Sequence, residues 1–169
     1  MTARATAIPS KNGLILSLAL GVAAFAADRL HKYVQVDVMH WPEGRFKPVL
    51  PFLDLGLVFN TGVSYSLLSS LPVWGIGIVI AAALCALIVW WARSTSPLVR
   101  AGLAICIGGA LSNALDRWLY GAVADFFWLH FGDTSLFVFN LADAAISLGV
   151  CLLLLDALGI GRRKAANPA

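Results

Sequence analysis

Long apolar stretches alternate along this chain with shorter segments that carry its prolines and most of its charges. Four stretches approach the roughly 20 residues that a helix needs to cross a bilayer: about 13–30, 71–92, 98–119 and 141–160. The second has no charge at all until Arg93 follows it. The first ends on Asp28 and Arg29. The third starts near Arg100 and ends on Asp116 and Arg117. The fourth holds Asp143 in its first turn and Asp156 in its last. The pattern predicts an all-α membrane protein with four transmembrane helices in a single polytopic domain over residues 1–169.

Two intervening segments, about 33–70 and 120–138, lie on the same side of that bundle. The first contains Pro42, Pro48 and Pro51, which exclude a continuous helix. From Pro48 to Tyr65 apolar and small residues mix, and Leu53, Leu55, Leu57 and Phe59 recur at period two. That spacing predicts a small strand-rich element resting on the membrane, with Trp41, Phe46 and Phe52 as headgroup-level anchors. The second segment is rich in aromatics (Phe126, Phe127, Trp128, Phe131, Phe137), and is also expected at the interface.

Composition supports a chain that faces lipid. Apolar types make up 60% and charged types 12% of the 169 residues, with a mean hydropathy of +0.83. A soluble domain carries about a quarter charged residues. Cys85, Cys106 and Cys151 fall inside apolar runs with no metal-ligand spacing, so they read as small hydrophobes. His31, His40 and His130 also lack ligand spacing, and no metal or cofactor is expected. The basic residues form no nucleic-acid-binding stripe.

Basic residues instead set the topology. With the N-terminus inside, Arg4, Lys11, Arg93, Arg100, Arg162, Arg163 and Lys164 are all cytoplasmic, on short tails and one short loop. Arg29, Lys32, Arg45, Lys47 and Arg117 are outside. All the acids except Asp156 lie on or near that outer side. Lys11, the apolar run after it and Ala24-Phe25-Ala26 also resemble a cleavable signal peptide. A polar motif that begins at Asp28 and needs this helix argues against cleavage.

An ionisable group in a spanning segment is costly and by default marks function. Asp28, Asp116, Asp125 and Asp143 gather near the outer ends of three helices. Asn113 and Asp116 are three apart, as are Asn140 and Asp143, so each pair shares a helix face. Gly108, Ser112 and Asp116 form a row at spacing four, and Gly109 and Asn113 another; small residues in such rows let helices approach closely. Simpler roles exist for several: Asn140 and Asp143 as a helix cap, Asp116 as partner of Arg117 or Arg29. Asp125, flanked by Val123 and Phe126-Phe127, is harder to explain that way. The sequence has no serine elbow, H-E-x-x-H, phosphate loop or thiol beside a base. Carboxylates remain. Two held together share a proton, and one then activates water while the other donates to the substrate. Spacing alone does not say which two aspartates pair.

Five blocks in order resemble the lipoprotein signal peptidases (signal peptidase II): Asp28-Arg-Leu-His-Lys32; Asn60-Thr-Gly62-Val-Ser-Tyr-Ser66; Gly108-Gly-Ala-Leu-Ser-Asn113-Ala-Leu-Asp116-Arg117; Val123-Ala-Asp125-Phe126; and Phe139-Asn140-Leu-Ala-Asp143-Ala-Ala-Ile146. The resemblance implies an aspartic endopeptidase whose catalytic pair is Asp125 and Asp143. Asp28, Lys32, Asn60, Gly62, Asn113, Asp116, Arg117 and Asn140 would support the site or bind substrate. It implies a small β-cradle between helices 1 and 2. It also implies a substrate, a prolipoprotein cut just before a cysteine that carries a diacylglyceryl group. The expected setting is the bacterial inner membrane, with both termini cytoplasmic, the site near the outer face, membrane lipid as a partner, no nucleic acid, and a monomer.

The chain departs from the family pattern at Arg29, Ser64, Tyr65, Ala122 and Ser112, which bears on substrate preference. Two other functions compete. A proton-coupled transporter would use carboxylates as a relay, yet here they cluster at one end. A non-catalytic lipoprotein-binding paralogue would keep the aspartates without turnover.

Overall fold

The computed structural model describes residues 11–61 and 73–160. Gly62, Ser64 and Tyr65 lie outside the described residues, as do Arg4 and Arg162, Arg163 and Lys164.

Helix α1 (Lys11–Tyr33) runs on into a π-helical turn, Val34–Val38. Strands β1 (Lys47–Leu50) and β2 (Leu53–Asn60) follow. Next come α2 (Val73–Arg93), α3 (Pro97–Tyr120), strands β3 (Val123–Phe131) and β4 (Thr134–Phe139), and α4 (Leu141–Ala157). Among the described residues, three helical stretches are long and apolar enough to span a bilayer: Gly13–Val38, Trp74–Arg93 and Pro97–Tyr120. At a rise of about 1.5 Å per residue, the 17 residues of α4 extend only about 25 Å.

Helix α3 is the central element, and its ends are set by sequence. Ser96 caps the start by accepting the N–H of Val99, Pro97 occupies the first turn, and Gly121 closes the end at φ 72°. Its glycines let the neighbours in. A side chain at Gly102 would run into the carbonyl of Gly149 on α4, at 2.8 Å, and one at Gly108 into the carbonyl of Gly21 on α1. The small-residue rows seen in the sequence are therefore backbone contacts on two sides of α3. Helix α2 is exposed almost all round, with Trp74, Ile78, Val79, Ile88, Val89 and Trp90 facing outward.

The four strands form one antiparallel sheet in the order β1-β2-β3-β4. The fold is thus not all-α. The strand-rich element between the first two helices supplies only half the sheet, and the hairpin β3–β4 between α3 and α4 supplies the rest. The Gly132-Asp133 turn of that hairpin, with Gly132 at φ 55°, is a two-residue loop between apolar runs, the usual hairpin signal. The density of aromatics around it had suggested an interfacial segment. Two of the expected headgroup anchors are also used differently. Trp41 packs partly buried against the sheet core of Leu57, Ala124 and Phe126, and Phe46 meets Trp128 edge-on at 5.2 Å. Phe52 is exposed.

Candidate active site

The site lies where α1, α3, β3 and the start of α4 converge, and its polar side chains are buried. Asp28, Lys32, Ser112, Asp116, Asp125 and Asn140 are almost entirely enclosed. Burial of so many polar groups is tolerated only if each finds partners, and here they do.

Asp125 comes from β3 and Asp143 from the first turn of α4. All four of their carboxylate oxygens accept a hydrogen bond. For Asp125, Asn140 Nδ2 donates to Oδ1 at 2.7 Å and Asn60 Nδ2 to Oδ2 at 3.1 Å. For Asp143, Asn113 Nδ2 donates to Oδ1 at 2.8 Å and the backbone N–H of Asn140 to Oδ2 at 3.2 Å. Asn140 is also the cap of α4, since its Oδ1 accepts the N–H of Asp143 at 2.9 Å. The helix cap that the sequence offered as a simpler role for this pair is present, in the form of a capping box, and the same asparagine orients the other aspartate. Asn60 reaches Asp125 because β2 and β3 pair with Val58 opposite Asp125 and Asn60 opposite Val123, which puts the two on a diagonal.

Burial pushes the Asp125 carboxyl up to about 6, and the charge of Asp143 adds to the effect. The hydrogen bonds from Asn60 and Asn140 and the charge of Lys32 pull the other way.

Beneath the two aspartates lies a buried ion network. Lys32 Nζ meets Asp28 at 2.7 Å and Asp116 at 2.6 Å, and donates to Asn113 Oδ1 at 3.0 Å. Arg29 closes on the other oxygen of Asp116. Of the two partners the sequence offered Asp116, Arg29 is the one it takes; Arg117 instead donates to the backbone carbonyl of Asn113 at 3.3 Å. Ser112 Oγ donates to Asp28 at 2.6 Å. Asp28 also accepts the backbone N–H of Ala142 at 2.9 Å, and Asp116 that of Ala124 at 3.1 Å. The sequence does not reveal these backbone bonds. The signal for Ser112 was its place four residues before Asp116 in the small-residue row. His130 pairs with Asp54 at 3.2 Å, away from this network.

All of the expected site residues among the described ones converge here except Arg117, which faces a groove beside the site. The family profile described as Signal peptidase (SPase) II matches residues 20–159. The chain belongs to that family. It is a bacterial membrane peptidase by that membership. It is 43% identical over 148 residues to a lipoprotein signal peptidase of Methylocella silvestris, covering 85% of this chain and 86% of that one. It is 42% identical over 165 residues to one of Methylobacterium radiotolerans, covering 95% and 94%. Two solved bacterial membrane enzymes share the fold. One has a TM-score of 0.76 at 24% identity, covering 92% of this chain and 95% of its own. The other has a TM-score of 0.74 at 25% identity, covering 86% and 94%.

Proposed function

We propose that this signal peptidase removes the signal peptide from prolipoproteins by general acid–base hydrolysis with Asp125 and Asp143, and uses no metal. The observation that carries the reading is Asn140, which holds Asp125 through its side chain and Asp143 through its backbone and cap. A buried carboxylate and a half-buried one fixed by the same residue cannot both ionise cheaply, so the pair keeps a single proton and titrates as a unit. Asp143 lies in the first turn of α4, where the helix dipole favours negative charge, and is suited to take a proton from water. Asp125, with its raised proton affinity, is suited to donate to the scissile amide.

The position of the site supports the substrate class that the family resemblance implies. The pair sits at one end of an apolar bundle, where a bond held at the membrane surface by a lipid anchor would lie. A diacylglyceryl-modified cysteine directly after the cut fits that requirement. On this reading the chain is one polytopic unit with four spans, α4 included, and both termini cytoplasmic, as the Lys/Arg asymmetry supports. The sheet and the aspartate pair then face the outer side, and a monomer contains the whole site. The transporter reading is not favoured, because the ionisable groups gather at one end of the helices.

The test is cleavage of a purified diacylglyceryl-modified prolipoprotein, followed by gel shift. The unmodified prolipoprotein serves as a control. Cleavage of the modified form alone supports the reading, and equal cleavage of both forms refutes its lipid requirement.

A further inference from the structure

Helix α2 stands off from α3 and leaves a groove of about 710 Å³ between them. Its walls are mostly apolar, with Ile76, Ile80 and Leu84 on one side and Trp118 on the other, and Arg117 enters it as the charged group. A second cavity below is lined by both Arg117 and Asn113. Asn113 is the residue whose amide donates to Asp143, and this second cavity shares Ile80, Leu84 and Arg117 with the groove, so it is the second cavity that reaches the edge of the proposed catalytic pair.

The cations near the pair differ in what they still have to offer. Lys32 is buried and bonded to Asp28, Asp116 and Asn113. Arg29 is committed to Asp116. Arg117 has no carboxylate partner among the described residues, and its side-chain hydrogen bond goes to the carbonyl of Asn113. A guanidinium carries five N–H donors in a fork that fits a carboxylate. Most of those donors remain available, in an apolar groove, within a turn of the site.

Hydrolysis creates a group that needs such a partner. Water adds its oxygen to the carbonyl carbon, the C–N bond breaks, and a proton goes to the departing nitrogen of the cysteine. The signal peptide is left with a new terminal carboxyl, ionised at neutral pH. That charge arises beside an aspartate pair that itself retains one negative charge, in surroundings that screen poorly. We propose that Arg117 receives the new C-terminal carboxylate of the cleaved signal peptide, whose apolar body lies along α2. This rests on the aspartic peptidase reading above. It adds a product site, and so predicts that the enzyme distinguishes a peptide acid from the same peptide as an amide.

The test uses the whole enzyme in detergent and a synthetic signal peptide ending at the cleavage position, made as free acid and as C-terminal amide. In wild type the acid should inhibit prolipoprotein cleavage at a concentration at least about tenfold below the amide, as expected of a charge-assisted bidentate pair. In Arg117→Gln the two should inhibit equally. In Arg117→Lys, which keeps charge without the fork, the acid should retain a smaller preference. Displacement of a fluorescent acid peptide gives the same ratio for a variant too slow to assay. Equal potency of acid and amide on wild type overturns the proposal, and so does an acid preference that survives in Arg117→Gln. Wild type that fails to cleave any prolipoprotein refutes the peptidase reading instead, and the displacement ratio still decides the carboxylate site.

Discussion

Asp28 accepts the backbone N–H of Ala142, the residue directly before Asp143, at 2.9 Å. Asp116 does the same for Ala124, the residue directly before Asp125. Each aspartate of the proposed pair is thus preceded by a backbone group tied to a buried carboxylate, and Lys32 holds both of those carboxylates at once. One ammonium on α1 thereby fixes the relative position of β3 and α4, which lead away from the open end of the β3–β4 hairpin.

Removing that ammonium should be severe. Lys32→Met leaves Asp28 and Asp116 with buried charge and fewer partners, which costs about 3–5 kcal/mol for a broken buried pair. The expected outcome is a large drop in melting temperature in detergent, together with loss of cleavage. Asp28→Asn should lower stability or substrate binding more than the chemical step. A pure loss of kcat with an unchanged melting temperature and KM would contradict this role for Asp28.

The pH dependence of Asp125 has a definite sign. Its carboxyl is raised to about 6, and the Asn60 hydrogen bond opposes that rise. Loss of the shared proton should therefore give kcat/KM an alkaline limb. Asn60→Ala deletes an interaction that favours the charged form, so the limb should move to higher pH. A pH–rate profile on both proteins checks it; a limb that moves to lower pH would contradict the geometry.

Close packing at α3 predicts two separable defects. A Cβ at Gly109 would lie 2.6 Å from the carbonyl of Ala142, next to Asp143. A Cβ at Gly108 would instead collide with the α1 backbone at Gly21. Gly109→Ala should reduce kcat by displacing the start of α4. Gly108→Ala should chiefly lower thermal stability, by about 1–3 kcal/mol as overpacking does. Melting curves and initial rates on the two variants distinguish them.

Much of this was legible in the sequence because spanning helices write strong signals. The apolar stretch at about 98–119 marked α3 (Pro97–Tyr120) to within a residue at each end, and the face that carries Asn113 and Asp116 follows from helical spacing. The cap formed by Asn140 and Asp143 was legible as one of two roles, and the structure gives the pair both a capping box and contacts to the site. The second hairpin was not. Its first strand, Val123–Phe131, carries Phe126, Phe127 and Trp128 in succession and so is aromatic on both faces, which loses the period-two alternation there. The pairing of β2 with β3 depends on residues some 65 apart (Asn60 and Asp125), which local pattern does not report. The π-helical turn after Tyr33 has no sequence mark of its own. The backbone bonds to Ala124 and Ala142 arise only once β3 and α4 are packed.

The account stands most directly on cleavage of a diacylglyceryl-modified prolipoprotein by wild type, Asp125→Asn and Asp143→Asn, with melting temperature measured on all three. An amide can neither take nor give the proton at neutral pH. Each variant should therefore lose at least about 10²–10⁴-fold in rate while remaining folded. Cleavage near the wild-type rate by either folded variant would contradict the assignment of these two aspartates as the catalytic pair.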